Sequence, residues 1–140
     1  MNEIWFRAKC KNWETLPKEN WWVEGFYVMY STSIAHPYSH TNGEHCIITV
    51  PHNIKYEINF DTICQYKNID DKNGIKMFDE DICVYSNSEG EYGVGIIRGD
   101  YVSWIRGNIR HLMTPLFYLK CGEEWEVIGN TFDNPELLDD

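Results

Sequence analysis

The sequence predicts a predominantly antiparallel β-protein with short helical segments. Apolar residues occur in runs of five or six that are rich in aromatic and β-branched side chains, which is typical of strands rather than helices. Several of these runs are separated only by short turn sequences, and strands joined by short turns pair antiparallel. The chain has 140 residues, 43% of them hydrophobic, which is enough to bury a core.

Three strands are expected in the first half of the chain: residues 25–30 (GFYVMY), 45–50 (HCIITV) and 55–60 (KYEINF). The last of these alternates between polar and apolar residues, as a strand with one buried face does. Structure-breaking residues, including Pro37, Gly43 and Pro51, interrupt residues 31–53. We therefore expect a long loop or hairpin around residues 31–53.

Four further strands are expected in the second half: residues 81–85 (DICVY), 93–98 (GVGIIR), 101–106 (YVSWIR) and 125–129 (WEVIG). The first three follow one another through short turns, one of them at Gly99 and Asp100, and so predict an antiparallel meander. Neither an internal repeat nor a Gly/Ser linker divides the chain. We therefore expect one domain, residues 1–140, with an N-terminal lobe (1–66) and a second lobe (67–140).

The C-terminal tail has the chemistry of a helix start. Asn134 can cap a helix, Pro135 is tolerated at the first helical position, and Glu136 suits the positive end of the helix dipole. Leu137 and Leu138 would then dock this turn onto the core. The tail is expected to act as a structural clasp.

The charge distribution limits the classes of partner. The protein is acidic, with a net charge of -10, and the acids are concentrated in residues 121–140, which contain no Lys or Arg. Such a protein repels phosphate backbones at long range, so nucleic acid is a less favoured partner. Arg98, Arg106 and Arg110 form a local basic segment that leaves nucleic-acid binding open as the alternative function.

The five cysteines and the apolar segments favour a cytoplasmic location. The cysteines form no CxxC pair, the first ten residues (MNEIWFRAKC) lack the apolar core of an export signal, and no apolar run is long enough to cross a membrane. We expect reduced thiols that act as small buried hydrophobes. A reactive thiol is the alternative.

Three segments resemble the YopX family of small proteins encoded by bacteriophages and prophages. They are IWFRAKC (4–10), QYKNIDDKNGIKMFDEDI (65–82) and WEVIGNTFDNPELL (125–138). The resemblance implies an α+β fold whose C-terminal half is similar to a partly open SH3-like barrel, in a protein of the bacterial cytoplasm. The family has no assigned activity to carry over, and so the resemblance supplies no catalytic residues for this chain.

Two positions depart from the family pattern. Where the family has Thr-Gly-Leu, this chain has Lys-Asn-Ile with Asn68 in the middle, and where the family has Glu-Gly-Asp it has Asp-Glu-Asp centred on Glu80. Both changes replace a glycine. They leave open how the chain turns at these two positions.

Residues 69–80 partly match a calcium-binding EF-hand loop. Asp71, Asn73, Gly74 and Glu80 fall on positions 3, 5, 6 and 12 of that motif. However, Ile69 at position 1 offers no side-chain oxygen, and a strand rather than a helix is expected to follow. We therefore expect an Asn-Gly turn here and no calcium site.

The histidines and acids offer only weak candidates for metal binding or catalysis. Four histidines cluster in residues 36–52 (His36, His40, His45 and His52), but their spacing does not match a zinc site. Asp79 and Asp81 could act as an acid–base pair, although neighbouring acids in a turn are commonly solvated. The chain contains no recognisable catalytic or phosphate-binding motif. We predict no catalytic residue, metal or cofactor.

Aromatic residues are the best candidates for a binding surface. They crowd residues 13–30, and the interface candidates are Trp13, Trp21, Trp22, Tyr27 and Tyr30. Trp and Tyr provide large contact areas at low entropic cost. The leading hypothesis is a non-enzymatic accessory protein that self-associates or binds a host protein, with a homo-oligomer as one form. In one variant of it, the acidic tail imitates nucleic acid and occupies a host factor.

Overall fold

The computed structural model describes residues 4–31, 43–116 and 124–139, and nearly all regular structure in them is antiparallel β. The expected β-rich fold is confirmed, but the helical segments of the described residues are all short 3-10 turns rather than α-helices. No helix of these residues is long and apolar enough to span a membrane. The strands are β1 (Phe6–Lys9), β2 (Trp22–Ser31), β3 (Gly43–Ile48), β4 (Lys55–Glu57), β5 (Cys64–Asp70), β6 (Lys76–Phe78), β7 (Asp81–Ser86), β8 (Tyr92–Arg98), β9 (Tyr101–Gly107), β10 (Met113–Pro115) and β11 (Trp125–Asn130). The 3-10 helices are Trp13–Thr15, Lys18–Asn20, Phe60–Thr62 and Pro135–Leu138.

The chain divides into two compact units, Met1–Gln65 and Tyr66–Asp140. In the first unit the strands are ordered β4-β3-β2-β1, and the first residues of β5 pair with β1. The end of β4 also meets the end of β1, because Cys10 forms a β-bridge with Ile58 and the Lys11 N–H donates to the Glu57 carbonyl at 2.9 Å. The core of this unit is centred on Ala8, Ile47 and Ile58.

Strand β2 shows how the residue order creates two faces. Successive side chains point to opposite sides of a strand. Val23 and Tyr27 therefore pack against the core, whereas Phe26 and Tyr30 lie on the opposite, outer face. At Gly25 a Cβ atom would lie 2.1 Å from the Ile48 carbonyl oxygen, so no larger residue fits between β2 and β3.

In the second unit the five-stranded sheet has the order β10-β9-β8-β7-β11. Strands β7, β8 and β9 form the expected meander, and Gly99, with φ of 61°, makes the tight turn between β8 and β9. Strand β5 continues into this unit and pairs with β6. Cys83, Ile97, Val102 and Trp125 lie in its core.

Aromatic rings pack against one another in this second core. Trp125 lies 4.9 Å from Tyr85 and 5.9 Å from Trp104 between ring centroids. The Trp104 ring lies against β8 where that strand carries Gly93 and Gly95, and a Cβ at either glycine would come within about 3 Å of the indole. Because Gly93 and Gly95 have no side chains, the Trp104 ring of the neighbouring strand packs directly against the backbone of β8.

Some strand predictions needed correction at their ends. The strand expected at 55–60 stops at Glu57, and a 3-10 turn follows at Phe60–Thr62, where the Asn59 side chain accepts the Asp61 N–H at 3.1 Å. The strand expected at 45–50 is β3, which occupies part of the expected loop region. Residues 32–42 lie outside the described residues.

The C-terminal tail contains the expected helical turn, which is a 3-10 turn with Pro135 at its start. The Asn134 side chain does not cap this helix, however. It accepts the Asn130 N–H at 3.2 Å and so fastens the turn that follows β11. Leu137 and Leu138 are half-buried.

Candidate functional site

Asp71, in one of the three family-like segments, organises a turn of the second unit. Its buried carboxylate accepts backbone N–H groups from Asn73 at 2.8 Å, Ile75 at 2.9 Å and Val127 at 2.9 Å. The Lys72 N–H donates to the Trp125 carbonyl at 2.9 Å. The 71–72 turn thereby binds the outer edge of β11. This confirms the expected turn, and it also shows what Asp71 does.

The hydrogen bonds also set the ionisation of Asp71. Burial by itself would raise the pKa of this carboxyl group, but the bonds from Val127, Ile75 and Asn73, together with the Lys72 charge, outweigh burial and lower the pKa. The carboxylate is therefore charged in the folded protein at neutral pH. Its role is structural, because its oxygens are directed at backbone groups.

The neighbouring acids also have internal partners. Asp81 is fully buried and accepts the Phe78 N–H at 2.8 Å. Asp79 lies 2.9 Å from the Lys67 ammonium and accepts the Gly99 N–H at 3.1 Å. These contacts fix the chain around the β6–β7 turn, and they give both Asp79 and Asp81 a structural role.

The two positions at which the family pattern has glycine keep a glycine-like backbone. Asn68 has φ of 61° and Glu80 has φ of 69°, both in the left-handed region that non-glycine residues seldom adopt. Asn tolerates this region better than Glu does. The turn geometry is therefore retained, with strain at Glu80.

Of the clustered histidines, the structure describes His45, which packs against other side chains, and His52. Nδ1 of His45 is 2.6 Å from the Tyr27 hydroxyl, and its ring stacks on Phe60 at 4.2 Å, while His52 is exposed. No group of three or more His, Cys, Asp or Glu side chains in the described ranges could hold a metal ion. His36 and His40 lie outside them.

The described cysteines are free and buried, namely Cys10, Cys46, Cys64 and Cys83. Burial raises the pKa of the Cys10 and Cys46 thiols, and a hydrogen bond to Glu44 raises that of Cys46 further. A raised pKa keeps a thiol protonated and unreactive. Cys121 lies outside the described residues.

The three arginines of the basic segment do not lie side by side. Arg98 and Arg106 stand at opposite ends of the β8–β9 hairpin, about 17 Å apart at the usual rise of a strand. Arg98 pairs with Glu80 at 3.1 Å, and Arg106 donates to the Leu137 carbonyl at 3.0 Å and the Asp139 carbonyl at 3.4 Å. Arg106 thus holds the C-terminal turn.

Arg110 is exposed in the segment between β9 and β10. The basic segment therefore consists of an ion-paired arginine, an arginine that binds the tail and an exposed one.

Three of the five aromatic candidates surround a lysine of β1. The Lys9 ammonium lies 3.9 Å from the centroid of the Trp13 ring, 4.7 Å from Trp21 and 5.7 Å from Trp22. The Arg7 guanidinium lies 5.0 Å from the Trp22 ring. Each such cation–π contact is favourable, and more so where water is excluded. Lys9 is only 4% exposed, so the tryptophans cover it.

The same outer face continues along β1 and β2. Trp5 packs edge-on against Phe26 with centroids 5.4 Å apart, and its Nε1 donates to Glu24 at 3.3 Å. Farther along β2, Lys55 lies 4.8 Å from the ring of Tyr30. Phe26 is 50% exposed and Tyr30 40% exposed. We call this surface the aromatic face; it comprises Trp5, Arg7, Lys9, Trp13, Trp21, Trp22, Phe26 and Tyr30.

Tyr27 is the candidate that the structure places elsewhere. It lies on the inner face, between Phe6 at 5.9 Å and Phe60 at 5.7 Å, and bonds to His45. The period-two alternation of β2 could have separated it from Phe26 and Tyr30. Trp5 and Lys9 were missed as partners because β1 was not predicted, and only the β1–β2 register brings them opposite Phe26 and Trp22.

These features define an antiparallel β-protein with a surface of aromatic and cationic side chains and no recognisable catalytic centre among the described residues. The protein-family model described as YopX protein matches residues 6–139, nearly the whole chain. The chain belongs to the YopX family.

Two further comparisons complete this result. No curated protein matches the chain. Among solved structures, the chain is similar to the crystal structure of protein EF1440 from Enterococcus faecalis, with 19% sequence identity and a TM-score of 0.44, covering 99% of this chain and 100% of that one.

Proposed function

We propose that this protein is a non-enzymatic protein-interaction module that binds another protein, or a second copy of itself, through the aromatic face. The observation that carries the proposal is the exposure of Phe26 and Tyr30 on one sheet face, at 50% and 40%. Aromatic side chains on a rigid strand offer large contact areas with little loss of entropy on binding.

The Arg7 side chain on this face supports a partner with acidic or polar groups. Arg7 lies over Trp22, whereas Lys55, beside Tyr30, already pairs with Glu44 at 3.6 Å and Lys9 is covered by the tryptophans. Aromatic and arginine side chains are the residue types that dominate binding energy at protein interfaces. Protein interfaces commonly have an apolar centre and a hydrated polar rim. The half-exposed rings of Phe26 and Tyr30 would form the centre of the contact.

We also propose a biological setting on the basis of family membership. Membership of the YopX family supports a phage- or prophage-encoded accessory protein that acts in the cytoplasm of the bacterial host. We further infer that the sheet of the second unit is a partly open SH3-like barrel, which the β7–β8–β9 meander supports.

The nucleic-acid alternative has no contact in its favour among the described residues. Arg98 and Arg106 are already bound to groups of the same chain, and the protein carries a net charge of -10. Binding to nucleic acid would also have to weaken steeply with salt.

Capture from a bacterial lysate tests the protein-interaction function. Tagged protein is incubated with lysate with and without nuclease, and retained proteins are quantified by mass spectrometry; an untagged copy is co-expressed to detect self-association. We expect partners that survive nuclease and that the double variant Arg98→Ala/Arg110→Ala still retains. This variant removes charge without releasing the C-terminal turn held by Arg106. Loss of all partners on nuclease treatment, or in this variant, would contradict the proposal.

A further inference from the structure

The second unit contains a cleft that is separate from the aromatic face. Its volume is about 410 Å³, within the range of ligand sites in proteins. It lies where the turn between β8 and β9 approaches β5 and β10. The cleft is lined by Lys67, Ile69, Asp100, Tyr101, Pro115 and Leu116.

Most of the wall is apolar and held in place by the sheet. Tyr101 and Pro115 are direct partners across the β9–β10 pair, and the Leu116 N–H donates to the Asp100 carbonyl at 2.8 Å. Ile69 forms the wall on the β5 side. Strands carry Ile69, Tyr101 and Pro115, and the backbone hydrogen bond ties Leu116 to the β8–β9 turn, so the sheet holds this wall in place.

Two charged side chains face the cleft, and only one of them is already neutralised. The Lys67 ammonium lies 2.9 Å from Asp79, and its side chain is only 10% exposed. Asp79 also accepts the Gly99 N–H at 3.1 Å, which fixes the turn that presents Asp100. Asp100 is exposed, and in the described part of the chain its carboxylate makes no ion pair.

This arrangement favours a cation and disfavours an anion. A cation can approach the Asp100 carboxylate beside the Tyr101 ring, which is 45% exposed and can add a cation–π contact. An anion would meet Asp100 and would have to compete with Asp79 for Lys67. The net charge of -10 adds a long-range attraction for basic partners.

We propose that the cleft binds an arginine or lysine side chain of a basic peptide segment in a partner protein. Such a side chain has an apolar stem for Ile69, Pro115 and Leu116 and a charged head for Asp100. The site goes beyond the aromatic face, because it lies in the other unit and recognises a different chemistry.

Two matched peptides test this inference. The probe is the acetylated and amidated pentapeptide Gly-Leu-Arg-Leu-Gly, and its control has citrulline, which is uncharged and similar in shape, in place of Arg. Binding to the full chain is measured by ¹⁵N NMR titration at low salt. We expect the Arg peptide to shift the amides of Asp100 and Tyr101, and to bind about fivefold more tightly than the citrulline peptide.

Variants of the full chain locate the site. Asp100→Asn keeps the size and the backbone carbonyl but removes the charge, and should weaken Arg-peptide binding about fivefold. Glu89→Gln, at an exposed position in the β7–β8 turn, makes the same charge change and should leave binding unchanged. Thermal melts confirm that both variants fold.

Three results would overturn the proposal: no shifts at the cleft, equal binding of the Arg and citrulline peptides, or equal effects of the two variants. Tighter binding of n-butylguanidinium than of the peptide would overturn the peptide as occupant. The aromatic-face function does not depend on any of these outcomes, since none of them involves Phe26 or Tyr30.

Discussion

In the second unit the rings of Tyr85 and Trp125 lie inside the core, and Trp125 is only 1% exposed. In the first unit Phe26 and Tyr30 lie on the outer face of a sheet, about half exposed, beside cationic side chains. Both regions are rich in aromatic residues, so composition alone does not separate them. The difference is the environment: apolar neighbours and glycines in one, and lysine and arginine in the other. Tyr85 and Trp125 therefore stabilise the core of the second unit, whereas Phe26 and Tyr30 are the side chains that we propose for binding.

The largest expected effect is the loss of stability when a buried ring of the second unit is removed. Trp125→Ala should lower the free energy of unfolding by about 3–5 kcal/mol, because it leaves a cavity beside Tyr85 and Trp104. Phe26→Ala is the matched change on the aromatic face and should cost about 1 kcal/mol or less, since half of that ring is already in water. Urea unfolding followed by circular dichroism measures both. Equal losses would mean that the aromatic face is part of the core.

Asp71→Asn should have the next largest effect. The amide has one acceptor oxygen instead of two. Its NH2 group would point at a backbone N–H that now donates to the carboxylate, so two donors would face each other. We expect a loss of about 2–3 kcal/mol in the free energy of unfolding. The control is Asp61→Asn, at an exposed position, which should change stability by less than about 0.5 kcal/mol. If the two variants unfold at the same urea concentration, Asp71 does not organise the turn.

The same residue gives the protein a defined acid sensitivity. Because the folded state lowers the pKa of Asp71, its contribution to stability is present above the unfolded value of about 4 and is lost as the pH falls through the folded value. The stability difference between the natural protein and Asp71→Asn should therefore be constant between about pH 5 and 7 and shrink below about pH 4. Unfolding curves at each pH test this. A difference that grows on acidification would contradict it.

The smallest expected effect concerns the backbone at Glu80. Glu80→Gly relieves the left-handed strain, and Glu80→Ala keeps the strain while losing the same ion pair with Arg98. Glu80→Gly should therefore be more stable than Glu80→Ala by about 1 kcal/mol. Differential scanning calorimetry resolves this as a difference of several degrees in Tm. Equal Tm values would show that φ at this position is not strained.

Strands with local signals could be predicted from the sequence, and strands that depend on distant partners could not. The meander was predictable because GVGIIR and YVSWIR are β-rich and joined by Gly99 and Asp100. Strands β1 and β5 mix charged and apolar residues, and both pair with partners that the sequence does not mark, β1 with β2 and β5 and β5 with β1 and β6. The β-bulge in β11 and the turn that Asp71 fastens to Val127 likewise depend on residues that are far apart in sequence.

The aromatic face was predictable only in part. The crowding of aromatics in residues 13–30 indicated its location, and Tyr30 is on it. The same crowding led to Tyr27 being grouped with Tyr30. These two residues are three positions apart on one strand, so their side chains point to opposite faces of the sheet. That Lys9 fills the space between Trp13 and Trp21 depends on non-local packing, for which the sequence carries no direct signal.

One quantitative capture experiment compares exposed residues of the two units and so tests whether the aromatic face binds partners. Tagged natural protein, Phe26→Ala/Tyr30→Ala and the control Tyr92→Ala/Met113→Ala are incubated with nuclease-treated bacterial lysate and with untagged copies of the chain. Both pairs are exposed, but the control pair lies in the second unit. We predict that the first variant loses its partners or its self-association while remaining folded, and that the control retains them. Retention by the first variant, or equal loss in both, would contradict the assignment of binding to the aromatic face.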